Sequence, residues 1–307
     1  MCEQLVKGMR VNMHIKKSKG EIAFTVFNTV FMIVMMFVMA FPLWHVVMSS
    51  LSDSGELIRN TGKLLFKPIG FNLESYKLVF KNPNIISGYK VTLFVVLVGT
   101  LASVFMTTLG AYGLSRKNLM FGRLFSKMII FTMLFSGGMI PGYIVVNNVL
   151  HLGDKLAVLI LPGMISTWNL MVMRTSLAAI PESLIESAQL DGANDFVVLF
   201  KIVIPTSMAI IAVMILFYGV SYWNSWFGAM LYIRDREKYP LQLVLREILL
   251  SNNTESMMSG RAIDDKSAVS ESLKYATIVI STLPILCVYP FLQKYFVKGV
   301  LIGSVKG

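Results

Sequence analysis

The sequence predicts an all-α polytopic membrane protein with six transmembrane helices. Of its 307 residues, 55% are hydrophobic and only 15% are charged, and the mean hydropathy is +0.66. Six apolar runs approach or exceed the roughly 20 residues that a helix needs to cross ~30 Å of hydrocarbon. The predicted spans cover residues 22–50, 91–114, 128–150, 156–179, 202–230 and 275–293.

The apolar runs are expected to be helices because they are long, rich in Leu, Met, Phe and Val, and lack a two-residue alternation. The first run is about twice as long as the apolar part of a signal peptide, and no cleavage pattern follows it, so it should remain as a membrane anchor. Residues 1–21 are then an N-terminal tail, and residues 22–307 form one transmembrane domain. A helix break is expected near Pro141 in the third run.

The charge pattern favours cytoplasmic N- and C-termini. Basic clusters at residues 7–19 and 116–127 lie in short segments, which is where the positive-inside rule carries most weight. The 28 basic residues nevertheless divide evenly between the predicted inner and outer segments, so the net charge of +11 does not fix the orientation. Basic inner patches fit anionic lipid headgroups, and they imply no nucleic acid partner.

The chain lacks the motifs of a nucleotide-binding or catalytic protein. No G-x-x-x-x-G-K-[ST] loop is present, and Gly62-Lys63 is followed by leucine. The three histidines, His14, His45 and His151, are too far apart in sequence to share a helix face as metal ligands. The spans hold no nucleophile, metal set or carboxylate pair for a membrane enzyme. We therefore predict that the chain is not an enzyme and binds no cofactor itself.

The segment between the fourth and fifth spans, residues 181–200, predicts a helix, a tight turn and a second helix. Pro181 suits the first helical position, and Glu182 lies near the positive end of the helix dipole. Gly192 can adopt the left-handed conformation that ends a helix, and Asn194 can cap the next one. By spacing alone, an ordinary connector is as good an interpretation as a docking element.

The same segment resembles the EAA motif of ABC importer permeases. Glu186, Ala188, Asp191, Gly192, Ile202 and Pro205 match that motif, whereas Ser187 and Ile204 stand where Ala and Leu are usual. The run from Tyr239 to Gln242 and the tail 293–307 are similar to the carbohydrate-uptake branch, including the second permease of the maltose transporter. The resemblance is stronger still to permeases for complex oligosaccharides, and it extends from Glu21 to Gly307.

The resemblance implies a half-pore that pairs with a second permease, as a heterodimer, and with two ATPase subunits that bind ATP and magnesium. An extracytoplasmic solute-binding protein would deliver the sugar, and the complex would lie in the bacterial cytoplasmic membrane. A cytoplasmic coupling helix between spans 4 and 5 would dock on an ATPase. The implied coupling residues are Glu182, Glu186, Ser187, Ala188, Asp191, Gly192 and Ala193.

Polar and aromatic side chains within the spans are candidates for a sugar pathway, because sugars bind aromatic faces and hydrogen-bonding side chains. On the fifth span, an aromatic belt at the membrane interface is the competing interpretation. Asn169 could equally join two helices by a hydrogen bond. The candidates are Tyr143, Asn147, Trp168, Asn169, Tyr218, Tyr222, Trp223 and Asn224.

Two other functions remain open from the sequence. The chain could be a permease for another small solute in the same ABC superfamily, or a secondary transporter. A secondary transporter would need ion-coupling charges inside the membrane, and the six runs are defined by their lack of such charges. Residues 241–250 are a further expectation, an amphipathic helix that begins after Pro240 and rests at the membrane interface.

Overall fold

The computed structural model describes residues 18–60, 62–250, 272–287 and 290, and every regular element in this part is helical. Residues 1–17 of the predicted tail and the motif at 293–307 lie outside the described residues. The α-helices are α1 (Lys19–Ser50), α2 (Ser54–Arg59), α3 (Glu74–Lys81), α4 (Pro83–Ser115), α5 (Gly122–Leu134), α6 (Met139–Ile144), α7 (Thr167–Ala178), α8 (Glu182–Leu190), α9 (Asp195–Val198), α10 (Ile204–Thr206), α11 (Met208–Trp223), α12 (Phe227–Tyr232), α13 (Leu241–Leu250) and α14 (Ser272–Cys287). π-Helical turns cover Val145–Val149 and Leu199–Val203, and short 3₁₀ segments cover Leu156–Leu159, Leu161–Gly163 and Arg236–Lys238.

Among the helices that the structure describes, only α1 and α4 are by themselves long and apolar enough to cross a membrane. Three further pairs of segments reach that length when they are joined across a bend: Gly122–Leu134 with Met139–Val149 (109°), Leu156–Gly163 with Thr167–Ala178 (50°), and Asp195–Thr206 with Met208–Trp223 (84°). By length and composition, the described residues therefore hold up to five spans. The predicted sixth span, 275–293, begins in the shorter apolar helix α14 and runs past the described residues, so the count of six stays a prediction.

The third, fourth and fifth predicted spans are bent, and a glycine or a proline lies at or near each bend. The third span breaks at Gly138, whose φ of 86° lies outside the helical region, close to the break expected at Pro141. Pro162 lies in a 3₁₀ segment before α7. Pro205 lacks a backbone N–H and follows a π-helical turn, and the next helix starts only after Ser207.

Helix α4 is the centre of the packing, and α7, α11 and α13 all lie against it. It begins eight residues before the predicted second span, because Asn82 accepts the N–H of Asn84 at 2.9 Å and Pro83 occupies the first turn. Helix α13 has the predicted bounds, and one of its faces packs against α4. Its Leu241 and Ile248 are buried, and the N–H of Leu241 donates to Thr92 Oγ1 at 2.8 Å.

Helix α1 stands apart from this packing. Most of its large apolar side chains between Ile22 and Val47 are exposed, and the most apolar stretch of the helix buries none of its residues. It is joined to the rest at its C-terminal end, where Trp44 Nε1 donates to the Phe66 carbonyl at 3.0 Å. A long apolar helix without intrachain packing requires another apolar surface, lipid or protein, along its length.

Candidate functional site

The segment predicted as a helix, a turn and a helix has that geometry. Pro181 is not the first helical residue, as the sequence suggested, but the extended residue before α8 (ψ 128°). Gly192 takes a φ of +82°, which is the left-handed conformation that glycine adopts without steric cost. Asn194 Oδ1 then accepts the N–H of Val197 at 2.9 Å and caps α9.

One face of α8 is anchored to the rest of the chain. Ile185 is buried, and Ala188 and Ala193 pack against the main apolar core. Glu182 forms an ion pair with Lys117 in the loop that follows α4, and this hydrogen bond raises the pKa of Lys117. Glu182 was predicted as a coupling residue, and its carboxylate is engaged within the chain.

The opposite face of α8 is open. Leu190, the last residue of the helix, is 89% exposed, which makes it the most exposed of the described large apolar side chains. The sequence interpretation missed Leu190, although it lies next to Asp191-Gly192 and out of phase with the buried Ile185. Four of the predicted coupling residues are also exposed on this side of the chain: Glu186, Ser187, Asp191 and Gly192.

A cavity of about 550 Å³ lies between the bent fourth span and helices α11 and α12. Four of the predicted pathway residues line it: Asn169, Tyr218, Tyr222 and Asn224. The wall also includes Phe217, Ser221, Ser225, Trp226, Phe227 and Tyr232. Aromatic rings and small polar side chains therefore line the same cavity.

Tyr218 and Tyr222 of the cavity wall direct their hydroxyl groups at neighbouring helices. Tyr218 OH lies 2.7 Å from Thr107 Oγ1 and accepts the N–H of Ser166 at 3.0 Å. Tyr222 OH lies 2.8 Å from Ser103 Oγ. Both tyrosines therefore tie α11 to α4, and they offer the cavity mainly their ring surfaces. Both side chains are buried within the chain, which does not favour the alternative of an aromatic belt in contact with lipid.

Three other polar side chains of the wall are free. Within the described residues, the side chains of Asn169, Ser221 and Ser225 form no hydrogen bond, although Asn169 is only 7% exposed. These groups border the cavity and can bind water or the hydroxyl groups of a ligand there.

The remaining pathway candidates lie elsewhere. Tyr143 does not line the cavity but stacks on Tyr232, which does, with ring centroids 5.7 Å apart. Asn147 packs beside Gly153. Trp168 is 61% exposed and does not line the cavity. Trp223 faces the opposite way, into a second apolar cluster with Tyr89. Sequence spacing could not separate these four from the residues that face the cavity.

A polar clasp joins the loop before the fourth span to the loop after α12. Asp154 Oδ1 accepts the backbone N–H groups of Asp235 and Arg234 at 3.1 and 3.2 Å. Lys238 Nζ lies 3.2 Å from Asp154 Oδ2 and 3.3 Å from Asp235 Oδ2. Together, the two backbone donors and Lys238 hold the pKa of Asp154 below its usual value. The clasp fixes the loop that follows Tyr232, a residue of the cavity wall.

We expect Asp154→Asn to lower the melting temperature of the purified protein by a few degrees at neutral pH, because it removes the charge from the clasp. A carboxylate with a lowered pKa stabilises the fold above its unfolded pKa, and this contribution is lost as the pH falls through the folded value. The variant and the wild type should therefore converge only when the pH falls below the lowered pKa of Asp154. Thermal scans across pH test this, with exposed Glu237→Gln as the control. A constant difference at all pH values would contradict it.

Within the described residues, no three His, Cys, Asp or Glu side chains are grouped closely enough to hold a metal ion.

No protein-family profile matches the sequence. The chain is, however, 42% identical over 267 residues to the polygalacturonan/rhamnogalacturonan transport system permease protein YtcP of Bacillus subtilis strain 168, which covers 87% of this chain and 92% of that protein. The chain belongs to the permeases of carbohydrate ABC transporters. This permease is also 40% identical to Protein LplC of the same strain, over 94% of this chain and 97% of that protein.

A solved structure places the permease in the same family. The crystal structure of a bacterial ABC transporter involved in the import of the acidic polysaccharide alginate contains a chain that superposes with a TM-score of 0.81. The two chains are 28% identical, and the match covers 91% of this permease and 99% of that chain. The all-helical fold and the membership in the carbohydrate branch, both predicted from the sequence, are confirmed.

Proposed function

We propose that this permease forms half of the translocation pathway of an ATP-driven oligosaccharide importer. The main observation in support is the arrangement of α8. One face of this helix packs against the rest of the chain, and the other face is exposed and ends at Leu190 and the turn at Gly192. Such an element can transmit a push from a partner into the helix core. The relative YtcP is named as the permease protein of a polygalacturonan/rhamnogalacturonan transport system, which supports an oligosaccharide as cargo.

In this proposal, α8 is a cytoplasmic coupling helix that docks on an ATPase subunit. Leu190 enters an apolar pocket of the ATPase, and Glu186 and Asp191 at the edge of the contact form charge-assisted hydrogen bonds. The ion pair of Glu182 with Lys117 and the buried Ile185 carry the motion toward α4. ATP and magnesium bind to the partner ATPases, since this chain offers no phosphate-binding loop.

The sugar passes beside the cavity between the bent fourth span and α11. Free polar groups on Asn169, Ser221 and Ser225 bind the rim of a pyranose, and the rings of the wall bind its apolar face. A volume of about 550 Å³ is within the usual range for a small-molecule site. A solute-binding protein outside the membrane delivers the sugar to this opening.

The exposed length of α1 supports a second permease as partner. Lipid covers part of this helix, and the partner permease covers the remainder, which completes the pore as a heterodimer. The proposed topology has six spans in the bacterial cytoplasmic membrane, with both termini in the cytoplasm, so that α8 and the α4–α5 loop face the ATPases.

Reconstitution tests the proposed function. We expect uptake into vesicles to require ATP, both permeases, the ATPases and the binding protein. Ion-driven uptake by this chain alone would instead establish a secondary transporter. ATP-dependent uptake of a small solute other than a sugar would support the second alternative, a permease of another substrate class.

Gly192→Val should lower the coupling of ATP hydrolysis to transport. No atom lies within 4 Å of the position of an added Cβ at Gly192, so the cost comes from the left-handed backbone, about 1–3 kcal/mol for a non-glycine residue. The ratio of sugar transported to ATP hydrolysed measures the effect. Gly192→Asn is the matched control, because asparagine tolerates this conformation best among the other residues. Equal ratios for Val, Asn and the wild type would contradict a role for the turn.

A further inference from the structure

An apolar groove of about 660 Å³ lies between α5 and the fourth span. One wall is the face of α5 from Phe125 to Thr132, and the other is formed by residues 165–170 around the start of α7, which packs against α5. Met128 and Phe131 in the first wall are 58% and 57% exposed. Since the chain spans a membrane, lipid or another subunit must cover these side chains.

The groove contains a cation that the described chain does not neutralise. Lys127 is part of the wall, and the other described wall residues are apolar side chains and two threonines. Arg123 lies one turn earlier on the same face of α5. Both are exposed, and within the described residues the ion pairs closer than 4.0 Å involve other cations. Two free cations on one helix face are suited to bind an anion.

The charged end of the groove lies near the coupling helix. The loop that leads into α5 contains Lys117, which pairs with Glu182 of α8, so in the proposed topology α5 begins at the cytoplasmic surface. Arg123 is then nearest to that surface, and Lys127 is one turn deeper. Thr132 lies about 13 Å further along the helix axis than Arg123, which is close to the ~15 Å depth of one leaflet.

We propose that this groove binds one anionic phospholipid of the cytoplasmic leaflet. The phosphate accepts hydrogen bonds from Arg123 and Lys127, and an acyl chain lies along Met128 and Phe131. An apolar helix of the second permease would cover the groove but leave Lys127 without a counterion, whereas an anionic lipid satisfies both parts of the site. Basic pockets between membrane helices on the cytoplasmic side are suited to such headgroups. The inference goes beyond the proposed function, because it concerns lipid rather than cargo.

A second groove provides an internal comparison. It has a volume of about 790 Å³, runs along α1 beside Trp44, and has no charged residue among the described residues of its wall. Lipid there is held by apolar contact alone. Selection of an anionic headgroup should therefore depend on the groove beside α5.

A lipid competition tests the site. The complete complex of both permeases and the ATPases is stripped of lipid in detergent and incubated with equal amounts of phosphatidylglycerol and phosphatidylcholine that carry identical acyl chains. Mass spectrometry of the intact complex counts each bound lipid. We expect the wild type to retain phosphatidylglycerol about tenfold better or more. Lys127→Gln should lower that preference about fivefold, and adding Arg123→Gln should remove most of the remainder. Lys127→Arg should keep it, because it keeps the charge.

Matched controls separate the groove from general attraction to the basic surface. Lys201→Gln removes the same charge from an exposed position shortly after α8, outside the groove, and should leave the preference unchanged. Phe131→Ala should weaken retention of both lipids equally, because it shortens the apolar wall. Leu124→Ala, an exposed position on α5 that does not line the groove, should weaken neither.

Three results would overturn the proposal. Equal retention of the two lipids by the wild type, or an unchanged preference in the variant that lacks both cations, removes the headgroup site. Displacement of phosphatidylglycerol by excess glycerol phosphate would assign the cations to a free phosphate. A photoreactive phenylalanine derivative incorporated at Met128 should label lipid, and labelling of the second permease instead would make the groove a subunit interface. Sugar uptake is not measured here, so failure of the lipid site leaves the proposed function unaffected.

Discussion

Leu190→Glu is expected to abolish ATP-driven sugar uptake while the permease remains folded and in the membrane. Leu190 is 89% exposed and contributes little to the packing of its own chain, so the substitution should change the free energy of unfolding by less than about 0.5 kcal/mol. In the proposed complex, the same side chain enters an apolar pocket of the ATPase. An unpaired carboxylate buried there costs about 3–5 kcal/mol, enough to lower the docking affinity by a hundredfold or more.

The measurement is co-purification of the ATPase subunits with the permease, followed by uptake in vesicles. Leu190→Met is the matched control, because it conserves volume and apolar character and should cost less than about 1.5 kcal/mol. Ile185→Glu serves as the opposite case: Ile185 is 4% exposed, so this variant should fail to fold rather than fail to dock. Normal uptake by Leu190→Glu would eliminate the docking role of the open face of α8.

Gly99→Val is expected to prevent the close packing of α4 against α11 and so to leave little folded protein. A Cβ at Gly99 would lie 2.9 Å from two ring atoms of Tyr222, a distance that real Cβ atoms do not show. Tyr222 cannot move aside easily, because it is buried and its hydroxyl is held by Ser103. Overpacking of this kind costs about 1–3 kcal/mol for a single added methylene, and valine adds more.

Gly99→Ala and Gly113→Ala form a matched pair for this test. Both glycines lie in α4, but no atom lies within 4 Å of an added Cβ at Gly113. Alanine at Gly113 should stabilise the helix by up to about 1 kcal/mol, whereas alanine at Gly99 should destabilise the protein. Melting temperatures of the purified variants measure both effects. In the double variant with Tyr222→Leu, the loss caused by Gly99→Ala should shrink, because the ring no longer opposes the methyl group. Equal melting temperatures for the two alanine variants would refute the steric argument.

The number of apolar runs predicted the fold class well, since the length of a run and the requirement for internal backbone hydrogen bonding in lipid are local properties. The bends were harder to predict. A break near Pro141 was expected from the proline, and Pro162 and Pro205 likewise lie beside the breaks before α7 and at Ser207, but the local sequence does not specify their angles of 50° and 84°. Helix α13 had its ends predicted by Pro240 and its apolar period. Its partner, α4, lies about 150 residues away in sequence, and no periodicity reveals it.

The two candidate sites differ in the same respect: one depends on local sequence, and the other depends on contacts between distant segments. The helix and turn at Glu182–Gly192 depend on capping residues and a left-handed glycine, which a short window of sequence contains, so their geometry was predictable. The cavity depends on side-chain direction across three segments. For this reason, spacing on α11 grouped Trp223 with Tyr222, while the structure turns them to opposite sides. The same limit hid the pairing of Glu182 with Lys117 and the groove between α5 and α7.

Hydrophobicity, helix length, caps and the conformational freedom of glycine therefore specified an all-helical membrane protein with a helix and a turn over residues 182–192, and the resemblance of that segment to the EAA motif identified it as a permease. Each of these depends on a residue and its near neighbours along the chain. Which tyrosine hydroxyls tie helices together, which amide faces the cavity and which leucine remains exposed were decided by packing around α4. Those outcomes depend on distances between residues far apart in sequence, which exist only once the helices have come together.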